Sequence, residues 1–303
     1  MTHMRKLLLL AAAAAAAAPA LAQQAPALAQ QEGVRTKAQV SAPPAARPLQ
    51  LTAAHRAAIA ESIRRGRLIA AIDRAGAVTT RDMLTRLSDP GAAGVVGWVA
   101  EPEGNAVTVT YYAREGDNYA AVYRSQMLGG RAVSPQLFEA GSRPALTGNA
   151  LRMARAHTAV GDLDRPVCGG GSDFNTIILP PQSDDASVLI YRISPRMAAE
   201  RVPAGGHYRT EVAADGTVGE TVALADECTE LRLTPATAGQ RPRPLVANAR
   251  EAEIPGELFV FLSLWSGRPL AVATGTGAVR MWGVTGEGIG ELAQGPSTHP
   301  VGR

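Results

Sequence analysis

Four side chains carry the chemistry most worth weighing in this sequence: Cys168, Ser172, His207 and Cys228. Ser172 follows Gly169-Gly-Gly and precedes Asp173, so its hydroxyl stands behind a run of backbone N–H groups that could serve a developing oxyanion. His207 sits in Gly205-Gly-His-Tyr-Arg209, where a strand is expected to begin. With an acid, Ser172 and His207 would form a nucleophile and its base. Cys168 with His207 would form a thiol pair of the same logic. Each residue also has a plainer reading. Gly beside His serves a bend or bulge as readily as a ligand, and a Gly-rich loop suits the chain next to a disulfide. Cys168 and Cys228 are the only cysteines. In an exported chain two cysteines more often pair with each other than remain reactive. A Cys168–Cys228 disulfide is therefore expected.

The other histidines offer less. His3 and His299 lie near the chain ends, His55 lies at an early helix turn, and His157 falls on the apolar face of an expected helix. There is no H-E-x-x-H, no G-x-S-x-G and no Walker A lysine. Asp184-Asp185 and Asp226-Glu227 read as solvated loop charge, because no calcium-loop spacing surrounds them. Gly275-Thr-Gly277 and Gly286-Glu-Gly288-Ile-Gly290 read as turns, lacking the spacing and the following helix of a dinucleotide loop. No catalytic residue, metal or cofactor is assigned; Ser172 and His207 stay as candidates.

These residues are carried on a chain that begins with an address. Met1–Lys6 is short and positive, residues 7–18 are an unbroken apolar run, and Ala20 and Ala22 match an A-x-A exit. That is the pattern of a cleavable signal peptide, 1–22, with cleavage at Ala22/Gln23. Residues 23–48 are Ala, Gln and Pro without apolar periodicity and read as a disordered tether. From residue 49 onward there are 25 basic and 26 acidic residues. A near-neutral body gives no electrostatic case for nucleic acid or an anionic membrane. Only Lys6 and Lys37 are lysines, so arginine carries nearly all the positive charge. No long apolar run follows the leader, so no membrane span is expected in the mature chain.

The positioning elements follow from periodicity. Ile59/Ile63 and Ile69/Ile72 place a helix over 51–73 with Thr52 as its cap, and Gly66 is its weak point. A second short helix is expected from Thr80 to before Pro90. Alternation then predicts a three-stranded antiparallel meander over 95–126, and Ser134-Pro135 predicts a helix start. A further helix is expected over 146–159. Strands follow over 174–179, 188–193, 207–213 and 217–224, the last two flanking the Asp215-Gly216 turn. The continuous run Leu258–Leu262 reads as a central strand. Strands over 269–273 and 278–284 complete the pattern, and 235–256 reads as a long loop. Helices first and strands later predict an α+β fold. Regions 49–160 and 161–293 are its two parts, able to share one core, with a flexible tail over 294–303. The expected role is an exported, periplasmic or secreted protein that binds an envelope or small-ligand partner without catalysis. The alternative is a secreted hydrolase or transferase centred on Ser172 and His207.

Overall fold

A computed structural model describes residues 49–292 apart from 172, 197, 226, 236–241, 250, 277 and 278. The leader, the tether, Ser172 and the tail from 294 lie outside the described residues. The fold is α+β, with three helices among the described residues and mainly antiparallel sheets.

Helix α1 spans Ala53–Arg86. Thr52 Oγ1 accepts from the His55 N–H (3.1 Å), and His55 Nδ1 accepts in turn from the Thr52 N–H (3.3 Å). A histidine thus fills the place of the usual Glu or Gln in a capping box. The helix does not divide at Gly66, and the expected second helix is its last two turns. The reason is packing. A Cβ at Gly66 would lie 2.5 Å from Val260 Cβ and 2.7 Å from the Glu257 carbonyl oxygen. The glycine is the point at which another helix crosses α1. Gly66→Ala is expected to destabilise the protein by about 1–3 kcal/mol through overpacking. Intrinsic helix propensity alone would favour alanine by about 1 kcal/mol. Urea denaturation gives the sign, and a stabilised variant would contradict the crossing.

Strands β1 (Val95–Glu103), β2 (Ala106–Glu115), β3 (Asn118–Leu128) and β4 (Arg131–Leu137) form an antiparallel meander in sequence order. The meander has four strands, not three, because the Ser134-Pro135 segment is strand and not a helix start. Gln126 pairs with Val133 and Arg124 with Gln136, so two residues, Ser134 and Pro135, oppose Ser125 alone. Pro135 cannot donate to a ladder, and a bulge on an edge strand is where such a residue is tolerated. Ser134 takes the left-handed φ of 51° there.

Helix α2 (Gly148–Val160) leads to a second antiparallel sheet. Its strands are β5 (Asn175–Leu179), β6 (Val188–Ile193), β8 (His207–Val212) and β9 (Val218–Ala225), in the order β5-β6-β8-β9. The short strands β7 (Arg201–Pro203) and β10 (Glu230–Arg232) pair beside it. Every position of β6 is buried. One face of this sheet sends Ile177, Tyr191 and Ile193 to a cluster that also holds Ile69, Ile72, Val109 and Trp282. The other face sends Ile178, Ile190 and Val212 to a smaller cluster with Met153, Tyr112 and Tyr119.

The segment Glu257–Ser266 is helix α3, not the expected central strand. Its residues Leu258 to Leu262 are all buried, so the apolar run serves a helix packed on every side. It is the crossover between two parallel strands, β11 (Leu245–Ala249) and β12 (Leu270–Thr274). Parallel neighbours need such a connection. β11 also lies within the segment expected to be loop. β13 (Arg280–Val284) and β14 (Ile289–Glu291) complete this sheet. The two limits of the described body meet: the Leu49 N–H donates to Glu291 Oε2 at 2.7 Å.

Candidate functional site

Cys168 and Cys228 are disulfide-bonded, with Cα atoms 5.3 Å apart. The bond ties the coil before β5 to the coil after β9. Gly205 and Gly206 make room for it. A Cβ at Gly206 would lie 2.5 Å from Cys168 Sγ, and one at Gly205 would overlap the Glu227 carbonyl oxygen. The glycines before His207 therefore admit the disulfide loop and not a ligand.

His207 itself is fully buried. Its Nδ1 accepts from the Ser194 N–H (3.2 Å), and its Nε2 lies 3.0 Å from the Pro203 carbonyl oxygen. A carbonyl only accepts, so Nε2 carries the proton and the ring is the neutral tautomer. Both nitrogens are committed to backbone, which leaves no free lone pair for proton transfer. Burial lowers the His207 pKa to about 4, with the Pro203 carbonyl acting weakly in the other direction. Ser172, the other half of that candidate pair, is outside the described residues.

His157 is half-buried at the end of α2, with Nδ1 2.8 Å from the Tyr112 hydroxyl. Burial first, then the Arg192 charge, lowers its pKa to about 4. Arg192 is buried and donates to Thr176 Oγ1 and to the Gly161 carbonyl at the C-terminus of α2. It meets the negative end of the helix dipole there. The two histidines have a common consequence. Unfolded, each titrates near 6.5; folded, each titrates at about 4. Between those values the unfolded chain binds protons that the folded chain does not, so stability falls as pH drops from 6.5 toward 4. Melting temperatures measured from pH 7 to 4.5 should decline across that window. A flat profile would contradict the burial of both rings.

A third polar group is an ion network under α1. Glu257 Oε1 accepts from Tyr191 OH (2.9 Å) and from Arg209 Nη1 (2.6 Å). Burial pushes the Glu257 carboxyl up, but the Arg209 charge and the carboxylate's own backbone N–H outweigh it, so it sits below the usual range. Glu257 opens α3, where a carboxylate is favoured by the helix dipole. On the surface above, Glu61 accepts from both Arg64 and Arg65. These bonds lower its pKa to about 2 against a smaller opposing effect of burial.

The concave surface with the character of a binding site lies beside this network. It is a groove of about 540 Å³ between α1 and the β1–β2 hairpin. From α1 come Ala60, Ile63, Arg64, Arg67, Leu68 and Ala71. From the sheet come Pro102, Asn105, Ala106, Val107 and Met127. The helix presents these residues because they recur at three- and four-residue spacing, one stripe over from the core stripe of Ile59, Gly66, Ile69 and Ile72. A smaller pocket of about 200 Å³ lies on the other side of Arg64 and Leu68, against Leu179, Pro180 and Glu211.

Nothing local in the sequence singles out this groove. Arg64 and Arg67 beside Ile63 and Leu68 were visible on one helix, but the opposing wall comes from a hairpin some forty residues away. Among the described residues no cluster of three or more His, Cys, Asp or Glu side chains could hold a metal. A scan of protein-family models and searches of curated proteins and of solved structures found no match to the chain.

Proposed function

We propose that the chain is an exported binding protein whose ligand site is the groove between α1 and the β1–β2 hairpin. The observation that carries the reading is the lining of that groove. Apolar side chains form its walls, two arginines and one asparagine supply its polar groups, and among the described residues no hydroxyl, thiol, imidazole or carboxylate side chain lines it. Such a surface can hold and orient a ligand but offers neither a nucleophile nor a base. Its volume lies within the range of about 300–1,000 Å³ usual for small-molecule sites.

Export is supported by the leader pattern of residues 1–22. The disulfide is compatible with it, because such bonds persist in oxidising compartments. Among the described residues no helix is long and apolar enough to cross a membrane. The binding test is a titration with N-phenyl-1-naphthylamine, a neutral apolar fluorophore. Saturable one-to-one binding is expected, and Ala60→Trp, which fills the groove from an exposed helix position, should abolish it. Absent binding, or binding unchanged in Ala60→Trp, would reject the groove as the site. N-terminal sequencing of the exported protein should read from Gln23.

A further inference from the structure

We infer that the ligand of this groove is an aliphatic chain ending in a single carboxylate, held by Arg67 in exchange for Glu287. The inference rests on the groove being a ligand site, as proposed above, and adds the chemistry of what enters it.

The two arginines in the lining are three residues apart, so both project from one side of α1. They are not equivalent. Arg64 is occupied: its Nε and Nη2 bind both oxygens of Glu61, at 2.8 and 2.7 Å. This is the two-pronged match of guanidinium to carboxylate, made within one helix by residues already side by side. Arg67 is held differently. Its Nε donates to the Gly286 carbonyl at 2.6 Å, which fixes the guanidinium to the backbone of the β13–β14 turn. Its Nη2 donates to Glu287 Oε2 at 2.5 Å. The Glu287 side chain is 88% exposed and that of Arg67 is 47% exposed. An ion pair so open to water gains little over its hydrated partners. Glu287 is therefore a weak and displaceable occupant of a well-positioned guanidinium.

The backbone beneath Glu287 is firm even though its side chain is not. Thr285 Oγ1 accepts from the Glu287 and Gly288 N–H groups, both at 3.1 Å. A Cβ at Gly286 would lie 2.2 Å from Leu264 Cδ2, so the turn is pressed against α3. When Glu287 swings away, Arg67 keeps its backbone anchor and its place on the groove.

An incoming carboxylate replaces the Glu287 carboxylate like for like, so the exchange costs no charge pairing. A neutral head group would leave the existing pair untouched and gain nothing. A dianion would need a second guanidinium with open donors, and Arg64 has its Nε and Nη2 already on both Glu61 oxygens. One carboxylate matches Arg67, whose partner among the described residues is exchangeable. The remainder of the ligand must be apolar, because Ile63, Leu68, Val107 and Met127 line the groove.

The test is displacement of N-phenyl-1-naphthylamine by dodecanoate and by dodecanol on the full mature protein. Dodecanoate is expected to bind about two- to fivefold more tightly than dodecanol, the worth of a half-exposed ion pair held in the groove. Arg67→Gln should remove that advantage, bringing the ratio of dodecanoate to dodecanol affinity to about one. Glu287→Gln should tighten dodecanoate by removing its competitor, an outcome that a merely structural Glu287 would not produce. Equal binding of the two probes, with Arg67→Gln indifferent, would overturn the inference and leave the groove reading standing. So would failure of both to displace a fluorophore that Ala60→Trp blocks. Failure of the fluorophore itself to bind would overturn both.

Discussion

Reduction of the Cys168–Cys228 bond is expected to lower the melting temperature by about 10 °C. The bond closes a loop of 60 residues. The chain-entropy model assigns about 4 kcal/mol to a loop of that length, as an upper estimate from which native strain subtracts. For a domain of this size each kcal/mol moves the transition by about 2–4 °C. The surroundings reinforce the effect. Cys168 is 2% exposed and its N–H donates to Ser194 Oγ at 2.9 Å, while that hydroxyl donates to the Gly206 carbonyl at 2.8 Å. The freed Cys168 thiol would stay packed against Gly206, where an added Cβ would lie 2.5 Å from its Sγ. Cys228, in contrast, is exposed, so a soluble reductant can reach the bond from that side. Calorimetry of the oxidised protein against the reduced and alkylated protein measures the difference. A shift below about 2 °C would mean that the strand ends are held by their other contacts alone.

The largest single-residue effect is expected at Glu257. Glu257→Ala removes the carboxylate on which Tyr191 OH and Arg209 Nη1 both rely. Deleting one partner of a buried pair costs about 3–5 kcal/mol when the other charge is left uncompensated. The Arg209 side chain is 21% exposed and keeps Glu211 Oε1 at 3.4 Å, so the lower end, about 3 kcal/mol, is the upper bound here. Replacing Glu257, Arg209 and Tyr191 together by Leu, Met and Phe should recover much of the loss, since no buried charge would then remain unpaired. Urea denaturation of the single and triple variants separates the two outcomes. A cost below about 1 kcal/mol for Glu257→Ala would show that the network is solvated. The pH dependence has a definite sign. The folded carboxyl titrates below its unfolded value, so its contribution is complete above the ordinary carboxylate range. It is lost as pH falls through the folded value. That window lies below the one set by the histidines.

Much of the architecture was written locally. The alternation from Val95 to Gln126, the Asp215-Gly216 turn and the Thr52 cap each depend on neighbours in sequence, and the structure has them where the pattern puts them. The disulfide followed from arithmetic on two cysteines. The departures share a cause, which is that a distant partner decides. Gly66 is unfavourable in an isolated helix, yet α3 requires it. Ser134-Pro135 suits a helix start until β3 is available to pair with it. The run Leu258–Leu262 has no period to distinguish strand from helix. Its extension from Glu257 to Ser266, between Gly256 and Gly267, was the signal for a helix, being ten residues long where strands usually have about five or six. For the candidate site the balance was poorer. His207 drew attention through its chemistry, but the chemistry is spent on backbone hydrogen bonds. The groove has one wall of two alanines, an isoleucine, a leucine and two arginines, and its other wall is brought there by topology.

The hydrogen bond from Leu49 to Glu291 places the two ends of the described body side by side. This fixes how the protein responds to being pulled by them. Tension applied at adjacent points opens a structure like a zipper, one contact at a time, instead of shearing many at once. β14 has only three residue pairs with β13, and Glu291 opposite Trp282 is the outermost of them. Force would first break the Leu49 contact and the Leu292 N–H bond to the Met281 carbonyl, and then peel β14 from Glu291 inward, each step resisted by little more than one pair. The same load leaves the Cys168–Cys228 loop slack, because both cysteines lie far along the chain from either point of attachment. A body tethered through its ends would yield early and at low force, and would re-form by replacing a single short strand.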